Sequence, residues 1–155
     1  MLLTSICFLS IFTPNVVNSK CISLFENCKY DLFHYGSDIR KKYKLHAGLQ
    51  NLVQDHHCIP YQYRNHKLLR QLGVDVNCSR NIIIMPNKRG ISELNLHPNI
   101  LVHDGGHNAY NKYIGKQLNL ILQEETIDMK KYKFWLLLSF LKDNLQFNRE
   151  NVPWE

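Results

Sequence analysis

Two pairs of histidines have a residue type and a spacing that suit metal binding and proton transfer. His56 and His57 are adjacent in the stretch DHHCIP, and His103 and His107 lie four residues apart in HDGGHNAY. Neutral imidazole binds divalent cations, and it also accepts protons near neutral pH. One histidine cluster can therefore supply both metal ligands and a general base.

The two pairs predict different geometries. Histidines four residues apart present their imidazoles on one side of a helix, which favours a two-ligand metal clamp formed by His103 and His107. Adjacent strand residues point to opposite faces, so His56 and His57 cannot easily bind one ion together. We expect one of them to supply a third ligand from the strand and the other to have a separate function.

The elements that hold these histidines are predicted to be two strands and a helix. DHHCIP is typical of a strand that ends in a loop, and the three isoleucines of RNIIIMP indicate a buried strand over residues 81–85. Beyond His107, apolar residues recur every four positions, which predicts a helix capped by Asp104 or Asn108. The apolar stripe of this helix consists of Tyr110, Ile114, Leu118 and Leu122.

Helices are also predicted on both sides of this region. Ser37 is a suitable N-cap for a helix that ends near Gly48; its apolar face is predicted to hold Ile39, Tyr43, Leu49 and Leu52. A helix over YQYRNHKLLRQLG is ended by Gly73 and buries Leu68, Leu69 and Leu72. The segment MKKYKFWLLLSFLKDNLQF predicts a helix, and its apolar run is too short to cross a membrane. We expect this helix to pack on the domain through Phe134, Leu137, Leu138, Leu141 and Leu145. NKRGISELNLHPN is predicted to be a loop.

The order of these motifs resembles the HNH, or ββα-metal, nucleases, and within them the small AHH-type nuclease domains. The resemblance rests on DHHCIP, RNIIIMP and HDGGHNAYNKYI, and it covers approximately residues 52–118. It implies an α+β fold, in which a small ββα-metal core of a two-stranded hairpin plus a helix is embraced by additional N- and C-terminal helices. We expect residues 20–155 to form this single domain.

The resemblance also implies a role for each matched residue. His56, His103 and His107 are expected to bind one divalent cation, and His57 is expected to be the general base. Asn81 matches the middle asparagine of the family, which in some members fixes the loop through backbone hydrogen bonds and in others touches the metal. We expect the structural role for Asn81. Magnesium, manganese, zinc and nickel all remain candidates for the cation.

These roles suit phosphodiester hydrolysis, because the base and the cation should act on opposite sides of the phosphorus. Diverging side chains at His56 and His57 provide that opposition. Strand alternation places Asp55 on the side of His57, where it would orient the imidazole. Gly105 and Gly106 are poor helix formers, so the clamp is expected to straddle a loop and a first helical turn.

The net charge favours a polyanionic partner. The chain carries 19 Lys and Arg against 13 Asp and Glu, a formal charge of +6. Nucleic acid, either DNA or RNA or both, is the expected partner, and no stable membrane association is expected. The residues predicted to contact its backbone are Arg64, Lys67, Lys88, Arg89 and Lys112. An ordinary solvated basic surface is the alternative, and an inhibitor protein cannot be identified from the sequence.

The first 19 residues resemble a secretory signal peptide. They contain no charged side chain, they are apolar from Leu2 to Phe12, and Ser19 is a suitable cleavage position. A buried or amphipathic helix is the alternative, since no lysine or arginine lies at the start. A membrane anchor is less favoured, because Pro14 and Asn15 interrupt a span already shorter than a bilayer needs.

Secretion also determines the expected state of the cysteines. Removal of residues 1–19 leaves Cys21, Cys28, Cys58 and Cys78, an even set in an oxidising compartment. Of the three connectivities, we favour Cys21–Cys28 and Cys58–Cys78, because each bond closes a short loop. A four-cysteine zinc site is the alternative, but no two of these cysteines have the CxxC spacing.

Two functions are consistent with these patterns. The first is a secreted, metal-dependent endonuclease that hydrolyses phosphodiester bonds of DNA, RNA or both. The second is a catalytically inactive secreted module that binds nucleic acid or protein and carries a structural metal. An open coordination position favours catalysis, whereas a fourth protein ligand favours a structural site.

Overall fold

A computed structural model describes residues 31–97, 99–147 and 152–154 of the chain. Within these residues, a two-stranded antiparallel hairpin is surrounded by α-helices, which confirms the predicted α+β fold. In chain order the elements are α1 (Asp38–His46), β1 (Val53–His57), α2 (Lys67–Leu72), β2 (Ile82–Pro86), α3 (Lys88–Glu93), α4 (Asn108–Leu122) and α5 (Ile127–Phe147). Two short 3-10 turns, Tyr61–Tyr63 and Ser79–Asn81, lie between the strands. The predicted signal segment, residues 1–19, lies outside the described residues.

The hairpin places both histidines of the adjacent pair at one end of the sheet. His56 pairs with Ile83 and His57 pairs with Ile82 in an antiparallel register. Ile82 and Ile83 are both buried, as the run of three isoleucines predicts. The second strand begins at Ile82, one residue later than predicted, because Asn81 belongs to the preceding 3-10 turn.

The hydrophobic core lies between the hairpin and helices α2, α4 and α5. The apolar stripes predicted for α2, α4 and α5 form this core, with one exception. Ile121 is buried in place of Leu122, which packs only partly against the core. The predicted core residues that are buried are Leu68, Leu69, Leu72, Tyr110, Ile114, Leu118, Phe134, Leu137, Leu138, Leu141 and Leu145.

Helix α5 contains the apolar run over residues 134–138 that was predicted to be too short to cross a membrane. None of the described helices is both long enough and apolar enough to cross a bilayer.

Helix α1 begins as predicted but packs through the opposite face. The Ser37 hydroxyl accepts a hydrogen bond from the Arg40 backbone N–H, so Ser37 is the predicted N-cap. Ile39 and Tyr43, however, are 45% and 49% exposed, whereas Arg40 is buried. The predicted apolar face is wrong for Ile39 and Tyr43, because the helix is attached to β1 by charge, whereas Leu52, which lies beyond the end of the helix, is buried as predicted. Arg40 Nε lies 2.8 Å from a carboxylate oxygen of Asp55.

Helix α3 occupies a segment that was predicted to be a loop. The Asn87 side chain caps this helix by accepting a hydrogen bond of 2.8 Å from the Gly90 backbone N–H. Gly90 lets the helix approach β1 closely, since a Cβ atom at this position would lie 2.0 Å from the Leu52 carbonyl oxygen. The prediction was wrong because it rested on the composition of the segment, which does not show the Asn87 cap or this close approach.

The state of Cys58 contradicts one of the two predicted disulfide bonds. Cys58 is a free, buried cysteine whose side chain belongs to the hydrophobic core, and burial raises the pKa of its thiol to about 12. Cys78 is disulfide-bonded, so its partner is a cysteine other than Cys58. The predicted Cys58–Cys78 bond is therefore wrong, because Cys58 points into the apolar interior. Cys21 and Cys28 lie outside the described residues, so their predicted bond is untested.

Candidate active site

Three histidines from different parts of the chain converge beside the hairpin. His56 comes from β1, His103 from the segment that follows α3, and His107 from the N-terminus of α4. One potential ligand atom of each lies within 4.8 Å of the other two. The ring centroids are 5.1 to 5.6 Å apart. The structure thus brings together the three residues that were predicted to hold a metal.

The local structure of the clamp differs from a helical pair. Helix α4 begins at Asn108, so His103 lies in a loop and His107 is the N-cap residue. Gly105 lies between them with φ of +103°, a conformation that favours glycine. His103 is held in place because its backbone N–H donates a 2.9 Å hydrogen bond to the Pro86 carbonyl at the end of β2. The expected arrangement, in which the clamp straddles a loop and the start of a helix, is what the structure has.

Neither predicted cap of α4 occupies the N-cap position. That position belongs to His107, whose side chain makes no capping hydrogen bond in the described structure. Its imidazole turns toward His56 and His103 instead. Asp104 forms an ion pair with Lys88, and Asn108 is already the first helical residue.

The buried nitrogens of this cluster fit a divalent cation. Nε2 of His56 and Nε2 of His107 are buried, and neither has a hydrogen-bond partner among the described residues. A buried polar atom that lacks a partner costs about 1–3 kcal/mol. A cation held by both nitrogens removes this penalty, and imidazole nitrogen is a preferred ligand of zinc, nickel and other transition metals.

The third imidazole is oriented by a neighbouring side chain. Nδ1 of His103 lies 2.7 Å from Oε1 of Gln54. An amide oxygen only accepts hydrogen bonds, so Nδ1 carries the proton and Nε2 keeps its lone pair for a metal. Gln54 was not among the predicted residues. Its position two residues before His56, on the same face of β1, is the one signal in the sequence that marks it.

Burial keeps the three imidazoles in the form that binds metal. Desolvation, together with the smaller effect of the neighbouring histidines, lowers the pKa of His56 to about 3. Burial also lowers the pKa values of His103 and His107. All three rings are therefore favoured in the neutral form, whose free nitrogen is the metal ligand.

These shifts predict that the metal-free protein loses stability as the pH falls. Between pH values of about 3 and 6.5, unfolded His56 binds a proton that folded His56 does not, so protonation favours the unfolded state. We expect a loss of about 2 kcal/mol from His56 between pH 7 and pH 5. Urea unfolding in the presence of a chelator measures it. The variant His56→Gln should show a shallower decline, and an equal decline would contradict the assignment.

His57 lies in a separate environment from His56. Its Nε2 is 3.0 Å from Oδ1 of Asn77, and its ring contacts Tyr35 with centroids 4.4 Å apart. The Asn77 oxygen only accepts, so Nε2 donates and Nδ1 is left as the basic nitrogen. Both histidines line one open cleft, together with Gly105, Gly106 and Asn111. Adjacent positions in β1 thus give one imidazole in the metal cluster and one outside it.

Asp55 does not have the partner that strand alternation predicted. Its two carboxylate oxygens lie 2.8 Å from Arg40 Nε and 2.9 Å from Lys44 Nζ, and both of these residues belong to α1. The oxygen that orients His57 comes from Asn77 instead. Sequence reasoning missed Asn77, because it lies 20 residues away in the connection between the strands.

Asn81 is a buried structural residue. Its side-chain oxygen accepts a 2.7 Å hydrogen bond from the Ile59 N–H, and its amide nitrogen donates to the carbonyls of Ile59 and Val76 at 2.9 and 2.8 Å. Its own carbonyl accepts from the Cys58 N–H at 2.8 Å. Asn81 therefore ties together the two ends of the connection between the strands.

Two of the basic residues that were predicted to contact nucleic acid have neighbours in the cleft. Arg64 stacks on Tyr61, with its guanidinium 4.5 Å from the ring centroid, and Tyr61 lies beside His57. Lys112 is exposed on α4, next to Asn111 of the cleft.

The other three basic residues have different surroundings. Lys88 forms an ion pair with Asp104. Arg89 forms an ion pair with Glu93, in which Nε and Oε1 are 2.5 Å apart. Lys67 lines a separate depression with Arg70. Arg64 therefore contacts a neighbour of His57, and Lys88 contacts the residue that follows His103.

Comparison with known proteins gives one finding on the family. A sequence model of the AHH family, described as a nuclease family of the HNH/ENDO VII superfamily with conserved AHH, matches residues 40–133. The match covers more than half of the chain and contains the hairpin, the histidine cluster and His57. No curated protein and no solved structure matches the chain. The His-His pair of this chain follows Asp55, so an aspartate precedes it where the family motif has alanine.

Proposed function

The chain belongs to the AHH nuclease family of the HNH/ENDO VII superfamily, and on that premise we propose that it is a metal-dependent endonuclease that hydrolyses phosphodiester bonds of DNA, RNA or both. One observation carries this proposal. His56, His103 and His107 present ligand atoms within 4.8 Å of one another, and His57 lines the same cleft outside that cluster.

The chain's own residues have distinct tasks in this reaction. Nδ1 of His57 takes the proton from the attacking water, while Asn77 holds the other ring nitrogen. Asn81 fixes the connection between the strands. When bound by the three histidines, a divalent cation supplies positive charge that stabilises the phosphoryl oxygens and the departing 3′ oxygen.

The ligand set favours an anionic substrate. Three neutral imidazoles leave the full charge of a divalent cation uncompensated, whereas carboxylate ligands would reduce it. A phosphodiester group is attracted to such a site. Among the described residues, His56, His103 and His107 are the members of the cluster, so an ion that they held could still accept a phosphoryl oxygen or a water.

The basic residues around the cleft supply the proposed contacts with the nucleic-acid backbone. Arg64, which stacks beside His57 on Tyr61, and the exposed Lys112 are proposed to hold the phosphates next to the scissile bond. Lys88 and Arg89 are proposed to exchange their carboxylate partners for phosphate groups of the nucleic acid. Lys67 is proposed to contact a part of the nucleic acid farther from the scissile bond. The net charge of +6 supports this sequence-independent attraction.

We also propose that the protein is secreted. The uncharged first 19 residues have the composition of a signal peptide, and the disulfide bond of Cys78 is typical of proteins in oxidising compartments. Mass spectrometry of the exported protein tests this proposal. A mature N-terminus near Lys20 supports it, and retention of residues 1–19 contradicts it.

Digestion of plasmid DNA and of single-stranded RNA by the purified protein tests the nuclease proposal. We expect cleavage with magnesium or manganese, loss of cleavage with a chelator, and recovery when excess metal is added. Activity that persists in chelator, or no activity with magnesium, manganese, zinc or nickel, contradicts it.

One observation favours the alternative of an inactive binding module with a structural metal. His56 and His107 are only 6% and 9% exposed, a degree of burial that structural zinc sites also have. The number of protein ligands distinguishes the two functions, because a structural site has four and a catalytic site keeps one position open. The three-histidine cluster supports the catalytic function.

A further inference from the structure

A short segment outside the family match covers one side of the histidine cluster. Residues 152–154 lie beyond residue 133, where the match ends. Val152 is buried in the hydrophobic core, and this anchors the segment. The ring of Trp154 lies against His107, with centroids 3.9 Å apart and planes inclined by 32°. The indole also contacts His56 at a centroid distance of 5.1 Å.

Trp154 is itself fixed by a hydrogen bond. Its indole N–H donates to the carbonyl of Val102, the residue before His103, at 3.3 Å. The side chain therefore connects the loop that carries His103 to the ring of His107. Tyr110 packs on the indole from α4, with ring centroids 5.6 Å apart. An indole held by these contacts has little freedom to leave the cluster.

The stacked indole lies against a histidine whose outer nitrogen is available to a metal. Nε2 of His107 is buried and has no hydrogen-bond partner among the described residues, so its lone pair is free to bind a cation. The direction of this nitrogen depends on the orientation of the imidazole ring, and Trp154 lies on that ring.

We propose that Trp154 is a positioning residue of the metal centre, which stacks on His107 and holds its ring so that Nε2 faces the cation. Trp154 orients His107 through a stacked ring, whereas Gln54 orients His103 through a hydrogen bond. This proposal rests on the metal centre of the proposed function, and it adds residues 152–154 to that centre.

Tryptophan fluorescence tests the proximity of Trp154 to the metal. The chain has two tryptophans, and the other, Trp135, is 40% exposed on α5. Bound Co²⁺ quenches an indole that lies in contact with its ligands. We expect Co²⁺ to quench most of the fluorescence of Trp135→Phe, in which Trp154 remains, and little of that of Trp154→Phe. No quenching in Trp135→Phe at saturating Co²⁺ would overturn the proposal.

Metal affinity tests the positioning role. Loss of an orienting contact usually weakens metal binding about 10–100-fold, and we expect this for Trp154→Ala. Trp154→Phe keeps an aromatic ring that can stack on His107, so it should recover most of the affinity. Trp135→Ala is the matched control and should bind Co²⁺ like the unmodified protein. Equal affinity in Trp154→Ala and Trp135→Ala would overturn the positioning role.

The two readouts separate this proposal from the nuclease proposal. Fluorescence quenching and Co²⁺ affinity do not depend on cleavage, so they support the role of Trp154 even in a protein that cleaves no nucleic acid. Metal-dependent cleavage without quenching of Trp154 contradicts this proposal alone. If Trp154→Ala does not fold, the quenching experiment in Trp135→Phe still decides, because it leaves residue 154 unchanged.

Discussion

Replacement of His57 by alanine is expected to reduce the cleavage rate by about 10²–10⁴-fold, the usual contribution of a general base. The metal affinity should stay near that of the unmodified protein. His57 contacts Tyr35 and Asn77, and it is not a member of the histidine cluster. Its removal therefore takes away a proton acceptor and leaves the three ligands in place. Single-turnover cleavage with saturating metal measures the chemical step.

His46→Ala is the matched control for this experiment. His46 is an exposed histidine whose ring bonds to the Lys42 carbonyl of its own helix at 2.8 Å, outside the cleft. We expect this variant to cleave at the normal rate. A His57→Ala protein that retains most of its activity, or that loses metal together with activity, would contradict the role of His57 as the base.

Replacement of His107 by alanine is expected to weaken metal binding, which replacement of His57 should leave unchanged. Removal of one of three imidazoles should weaken metal binding by about 100-fold or more, since the loss of a contact that merely orients a ligand already costs 10–100-fold. Nε2 of His107 is buried without a partner in the described structure, so it has no other evident task. Calorimetric titration with Mn²⁺ or Ni²⁺ measures the change.

The variants His57→Ala and His107→Ala serve as controls for each other. His57→Ala should bind metal normally and cleave poorly at any metal concentration, whereas His107→Ala should need far more metal for any cleavage. If both variants lose metal binding equally, His57 is a ligand, and the division of tasks between the histidines is wrong.

The separate parts of the histidine cluster could be predicted because their signals are local, whereas their meeting at one metal was expected from the resemblance to the AHH nucleases. Alternation along β1 separates His56 from His57, and a spacing of four brings His103 near His107. The stripes of α4 and α5 follow from apolar spacing alone. Each of these inferences needs only residues within one or two turns of each other.

The residues that orient the histidines could not be predicted, because each of these contacts joins distant parts of the chain. Gln54 and His103 are 49 residues apart, and Asn77 is 20 residues from His57. Trp154 meets Val102 across 52 residues. Only the folded topology brings such pairs together, and amide and indole side chains carry no spacing pattern of their own.

The charge contacts of α1 also could not be predicted from the spacing of residues in the sequence. Spacing alone assigned Ile39 and Tyr43 to the inner face, but the buried carboxylate of Asp55 draws Arg40 inward instead. A buried charge needs an opposite partner, and this requirement outweighs the burial of two apolar side chains. Asp55 precedes the His-His pair where the family motif has alanine, so this ion pair accompanies the departure from the motif.

The metal position in crystals grown with Zn²⁺ tests the central claim most directly. Anomalous scattering locates the ion independently of any assumption about its ligands. We predict one ion at about 2.0–2.1 Å from a nitrogen of each of His56, His103 and His107, with His57 outside this distance. An ion bound by His57, or one held elsewhere while these three rings point apart, would contradict the account.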